Sequence, residues 1–100
     1  MRFEVEETED GVIVAISGIL KKLDAMQLAN EIAKVTHSKP KKLALDFSEL
    51  SALSLDSVPF IVSAIERARL GKQNVRAFGY NSMVGRALRS GNFERVGTLE

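Results

Sequence analysis

The sequence has no cysteine. Disulfides and thiolate metal sites are excluded, and the composition fits a reducing, cytoplasmic setting. It has one histidine, His37. Metal ligands and catalytic triads work in sets, and no His, carboxylate and serine set is suggested around it. The seven glycines form neither a Walker loop nor a dinucleotide fingerprint. No continuous apolar run approaches the roughly 20 residues a membrane span needs. Met1-Arg2-Phe3-Glu4 lacks the basic-then-apolar layout of a signal peptide. Net charge is only +1, so nothing electrostatic draws the chain to nucleic acid or an anionic membrane. No cofactor or metal is expected.

What remains is ordinary globular material: 100 residues, 45% hydrophobic and 27% charged. That reads as a single domain over residues 1–100, with a core that needs no covalent staples. Phe3 to Glu6 alternates with period two, a half-buried strand. Asp10-Gly11 is a hairpin signal. Val12 to Ile16 is an uninterrupted apolar strand, closed by Ser17-Gly18. Asp24 is a good N-cap, with Gln27 in capping-box register, for an amphipathic helix to about Thr36. Pro40, among Lys39, Lys41 and Lys42, marks a loop.

Leu43 to Phe47 is a second buried strand, with Asp46 near its end. The serine-rich stretch Ser51 to Leu55 then reads as a loop. It leads into a helix whose apolar stripe is Val58, Ile61, Val62, Ile65 and Ala68. Pro59 is comfortable only in a helix's first turn, where its missing N–H is not needed. The helix therefore starts at Asp56 or Ser57, with Ser57 at or beside the cap and Ser54 in the preceding loop. Phe60 and Ala64 lie off the stripe and offer a second apolar face. Asn74 to Gly79 is a further core strand. Asn81 or Ser82 caps a short last helix that ends at Gly91, and Phe93 to Thr98 reads as an edge strand. Helices alternating with apolar strands predict an α/β domain with right-handed crossovers and a mainly parallel sheet.

That order resembles the STAS family, the sulfate-transporter and anti-sigma-factor-antagonist domains, over about Val12 to Val96. Four segments carry the resemblance. Val12 to Gly18 looks like the family's strand ending in glycine. Leu43 to Leu50 looks like its apolar strand running into Asp-Leu-Ser. Asp56-Ser57 opens a helix as the family's Asp-Ser does. Ser90-Gly91-Asn92-Phe93 looks like its late Ser-Gly followed by an aromatic. The resemblance implies an open mixed sheet of four to five strands with three to four helices.

It also implies a bacterial, non-enzymatic module that regulates transcription by binding an anti-sigma factor that is also a serine kinase. In antagonist members that kinase phosphorylates the serine after the aspartate. A phosphate at a helix N-terminus is tolerated by free N–H groups, yet repels an acidic partner across an interface. Carried over, the phosphorylation candidates are Ser57 first and Ser54 second. The expected partner-binding residues are Lys21, Lys22, Leu55, Asp56, Val58 and Phe60. Counted from Asp46, the gap to Asp56 is about two residues longer than in typical members. Aligned without a gap, Ser54 takes the family's aspartate position and Leu55 its serine position. Lys21 stands where members carry an aspartate, and Val58-Pro59 replaces their Ser-Gly. A second expectation is a non-phosphorylated STAS subunit that docks on the ATPase of a lipid-transporting ABC system. There Phe60 and Ala64 make the contact.

Overall fold

The structure, a computed structural model, describes residues 1–100. Five strands form one sheet in consecutive order. β1 (Arg2–Glu7) runs antiparallel to β2 (Gly11–Leu20), while β3 (Lys42–Leu53), β4 (Val75–Phe78) and β5 (Thr98–Leu99) continue parallel to β2. The helices α1 (Lys22–Thr36), α2 (Val58–Ala68) and α3 (Ser82–Ser90) are the crossovers. Right-handed crossovers between strands taken in order lay all three on one face. Burial agrees with that placement. Val12, Val14 and Ile16 of β2 are buried, whereas Ile13, Ala15 and Ser17 on the other face are half-buried. Leu28, Ile32, Ile61 and Leu88 close the core from the helix side with no exposure. Each such burial contributes about 1.5–3 kcal/mol.

Four boundaries differ from expectation, each for a local reason. The β1–β2 turn is held by Thr8, whose N–H donates to the Gly11 carbonyl at 2.8 Å, and Thr8 Oγ1 accepts the Gly11 N–H at 3.1 Å. But β2 does not stop at Gly18. That glycine takes φ +97 at a register shift between β2 and β3. It bends the strand and lets it run on to Leu20. Because β2 is longer, α1 begins earlier, and Asp24 is not its N-cap. It lies three residues after the N-cap, Lys21, and its Oδ2 accepts the Lys21 N–H at 2.9 Å. Gln27 is exposed.

β3 is also longer than the expected Leu43 to Phe47 and takes in Ser51 to Leu53 of the expected loop, leaving Ser54 between the strand and the 3₁₀ turn. Leu50 and Leu53 point into the core, leaving Ser48 and Ser51 exposed. From Ala15 to Leu20 is five steps along β2, but the matching span of β3, Asp46 to Leu53, is seven. Two residues of β3 are thus taken up at irregularities, the same number by which the Asp46–Asp56 gap exceeds the resemblance. Asp46 sits at the first of them, mid-strand. Its Oδ1 accepts the Ser48 N–H at 2.9 Å and the Ser48 hydroxyl at 2.6 Å, a local turn that β bulges favour. At the chain's end, the expected strand from Phe93 to Thr98 is mostly a short 3₁₀ turn, Phe93–Arg95. Phe93 is fully buried, so the chain must dip inward before it can pair at Thr98.

Candidate functional site

The parallel strands β2 and β3 end side by side, Leu20 opposite Leu53. Each then turns at once into a helix, α1 after Lys21 and α2 after a 3₁₀ turn, Leu55–Ser57. This places the two helix starts together at one end of the sheet. The Ser54 N–H donates to the Leu20 carbonyl at 3.0 Å, and the Ser57 N–H donates to the Ser54 carbonyl at 3.0 Å. Ser54 Oγ and Ser57 Oγ lie 2.5 Å apart, and the Ser57 hydroxyl also points at the Leu20 carbonyl, at 3.4 Å. Each hydroxyl has one proton to give. With Ser57 donating to Leu20, Ser54 is the donor to Ser57. The pair thus ties α2 to the end of β2 and satisfies the enclosed Ser57 hydroxyl.

The expected site residues separate sharply here. Ser57 is the N-cap of α2 and has 0% exposure; Ser54 is half-buried. Pro59 falls in the first turn of α2, as its missing N–H requires. Leu55 is 58% exposed and Asp56 is also on the surface. Val58, expected at a contact surface, is instead fully buried. It fills the space that a side chain on Gly91 would need: a Cβ there would lie 2.3 Å from Val58 Cγ1. Lys21 and Lys22 are exposed, and the Lys22 ammonium sits 6.0 Å from the centre of the half-buried Phe60 ring, at the outer limit of a cation–π contact.

The sequence reading overlooked the apolar residues around this point. Leu23 is 76% exposed and Ile19 54%. Ile19, one residue before the end of β2, lies opposite Ala52, and Leu23 lies in the first turn of α1. The available signal was that Leu23 falls off the core stripe of α1, but a helix starting at Asp24 left it outside. On the far side, the Asn81 side chain caps α3, accepting the Val84 N–H at 2.9 Å, and donates to the Ser51 carbonyl at 3.1 Å. Met83, next to it, is 69% exposed. The end of the sheet therefore presents large apolar side chains beside Lys21 and Lys22, on a backbone fixed by hydrogen bonds. Such a patch suits contact with another protein. No group of three or more His, Asp or Glu side chains converges anywhere to hold a metal. No helix is long and apolar enough to cross a membrane.

No family model and no curated protein matches this sequence. Solved structures do. An anti-sigma factor antagonist from Mycobacterium paratuberculosis superposes with a TM-score of 0.81 at 20% identity, over 98% of this chain and 83% of that one. RsbS from Moorella thermoacetica gives 0.74 at 19% identity, over 100% and 86%. The anti-sigma factor antagonist SpoIIAA in its unphosphorylated form gives 0.78 at 12% identity, over 99% and 88%. This chain has the STAS fold. The five-stranded mixed sheet with three helices matches that of the anti-sigma-factor antagonists from end to end. SpoIIAA in its phosphorylated form, from Bacillus, is similar too, with a TM-score of 0.71 over 99% of this chain.

Proposed function

We propose that this chain is a non-enzymatic, cytoplasmic regulatory module that works by binding a protein, in the manner of an anti-sigma-factor antagonist. The observation that carries this reading is Leu55. It stands 58% exposed between two serines that lock its backbone, at the same end of the sheet as the exposed Leu23 and Ile19. An apolar side chain held out on a rigid turn loses little entropy when a partner covers it. Lys21, Lys22 and Asp56 border the patch and would set orientation and the choice of partner.

If the partner is a serine kinase, Ser54 is the residue it can reach. Its hydroxyl is half-buried and leaves its lone pairs open, whereas Ser57 is enclosed and must leave the fold to be modified. A phosphate on Ser54 adds about −1.5 to −2 charge next to Asp56 and at the rim of the apolar patch, which disfavours an acidic partner. A second reading, a non-phosphorylated subunit on a transporter ATPase, is favoured by one observation. The exposed side chain between the serines is a leucine, which has no hydroxyl to modify.

The test is incubation with any serine kinase encoded beside the gene, followed by intact-mass analysis and measurement of partner binding for Leu55→Glu. A phosphate on Ser54 that weakens binding supports the switch. No phosphate, with binding retained to an ATPase subunit, supports the second reading. Undiminished binding by Leu55→Glu contradicts the first reading, and undiminished ATPase binding by Phe60→Glu contradicts the second.

A further inference from the structure

We propose that the trough between α1 and α2 is a second docking site, shaped for an acidic amphipathic helix of a partner protein. It rests on the reading of the chain as a protein-binding module, but it uses the α1–α2 face that holds Phe60 and Ala64, not the Leu55 edge. The trough has a volume of about 690 Å³. Its floor is built from small side chains spaced four apart: Ala29 and Ala33 on α1, Ala64 and Ala68 on α2. Small residues at i and i+4 hollow out the lane into which the i±4 ridge of another helix packs. Met26, 45% exposed, and Phe60 close one end. The lane follows α2, whose 11 residues span about 16 Å, enough for three turns of a partner helix.

The charge around the trough selects the partner. His37, Lys39 and Arg67 line it, and no Asp or Glu does. Lys22, above Phe60, extends the positive rim. The chain is otherwise nearly balanced at +1, so this is a local separation of charge. Acids gather elsewhere: Glu4, Glu6, Glu7, Glu9 and Asp10 all lie in the first ten residues. The Glu66 carboxylate, on the same helix as Arg67, is engaged by Arg95 at 3.0 Å. An apolar lane with basic edges complements a helix with an apolar stripe flanked by Asp and Glu. A lipid surface is the poorer fit, because few cations surround a narrow concave lane and the net charge supplies little attraction.

The test uses a fluorescent peptide of about 18 residues, Leu along one face and Glu on both flanks, and a twin with Lys in place of Glu. Anisotropy should show the Glu peptide binding at least about tenfold more tightly. Reversing the rim with Lys39→Glu and Arg67→Glu should invert that preference, while Leu55→Glu leaves it unchanged. Ala33→Gln, which fills the lane from an exposed position, should block both peptides without lowering the melting temperature. Amide NMR shifts should centre on Ala29, Ala33, Ala64 and Ala68. Equal affinity for the two peptides would overturn the proposal. So would shifts centred on Leu55, tighter binding of vesicles containing phosphatidylserine than of the peptide, or a dimer of the chain that Ala33→Gln abolishes. Failure of these peptide measurements leaves the Leu55 docking edge standing, since that is read from partner binding by Leu55→Glu.

Discussion

The starts of α1 and α2 lie next to each other, both follow a parallel strand, and they are built in opposite ways. At α1 the polar group that satisfies the backbone is a surface carboxylate: Asp24 accepts the Lys21 N–H, and the neighbouring Leu23 is left in solvent. At α2 it is a serine with no exposure, bonded to a second serine and aimed at the end of β2. The first start is a local device that touches little else. The second is a joint between two elements, held by groups 37 residues apart in sequence. The contrast shows that two helix starts at one end of a sheet can be fixed by different means, one by a local side chain and the other by contact with a distant strand.

The largest effect that would break this comparison is a charge at the joint. Ser57→Asp places a carboxylate in a fully buried position against the Leu20 carbonyl, and an uncompensated buried charge costs about 3–5 kcal/mol. Thermal melting should show a loss of well over 10 °C, whereas Ser54→Asp should shift the melting temperature by only a few degrees. Equal effects from the two would remove the distinction between joint and rim. Next in size is Gly91→Ala. Its new Cβ would meet Val58 at 2.3 and 2.5 Å, and overpacking of this kind costs about 1–3 kcal/mol; chemical denaturation would measure it.

Ser57→Ala is gentler. It removes one partner of a buried hydrogen bond and should cost about 1 kcal/mol. The matching change at the open start, Asp24→Ala, should cost about 0.5–1 kcal/mol, and its effect should shrink in high salt, which the effect of Ser57→Ala should not. Smallest for stability is Leu55→Glu, within about 0.5 kcal/mol by denaturation, even though it should have the largest effect on partner binding.

Much of this fold is legible in the residues. The period-two and continuous apolar stretches mark the strands, and Pro59 pins the start of α2 because proline lacks an N–H. The order of elements then leaves few topologies. The missed boundaries share a cause. Gly18 and Ser51 read as strand breakers, yet in a sheet with bulges glycine can bend a strand and serine can face solvent without ending it. The site was legible as a place but not as a surface. Its serines and lysines are where the pattern put them, but sequence spacing does not tell that Ser57 and Val58 are enclosed while Leu55 is not. That depends on what packs across from them, the Leu20 carbonyl and Gly91, both distant in sequence. Ile19 and Leu23 went unnoticed because exposed apolar residues carry no polar signal, and periodicity assigns apolar residues to the core by default.

The most direct test is an NMR titration of the isotopically labelled chain with a candidate partner, a serine kinase of the anti-sigma-factor type. The account predicts that the amides of residues 19–23 and 54–56 shift or broaden first. Leu55→Glu should abolish those changes while leaving the unbound spectrum folded. Perturbations confined to the open face of the sheet, around Ile13, Ala15 and Arg76, with the starts of α1 and α2 silent, would contradict it.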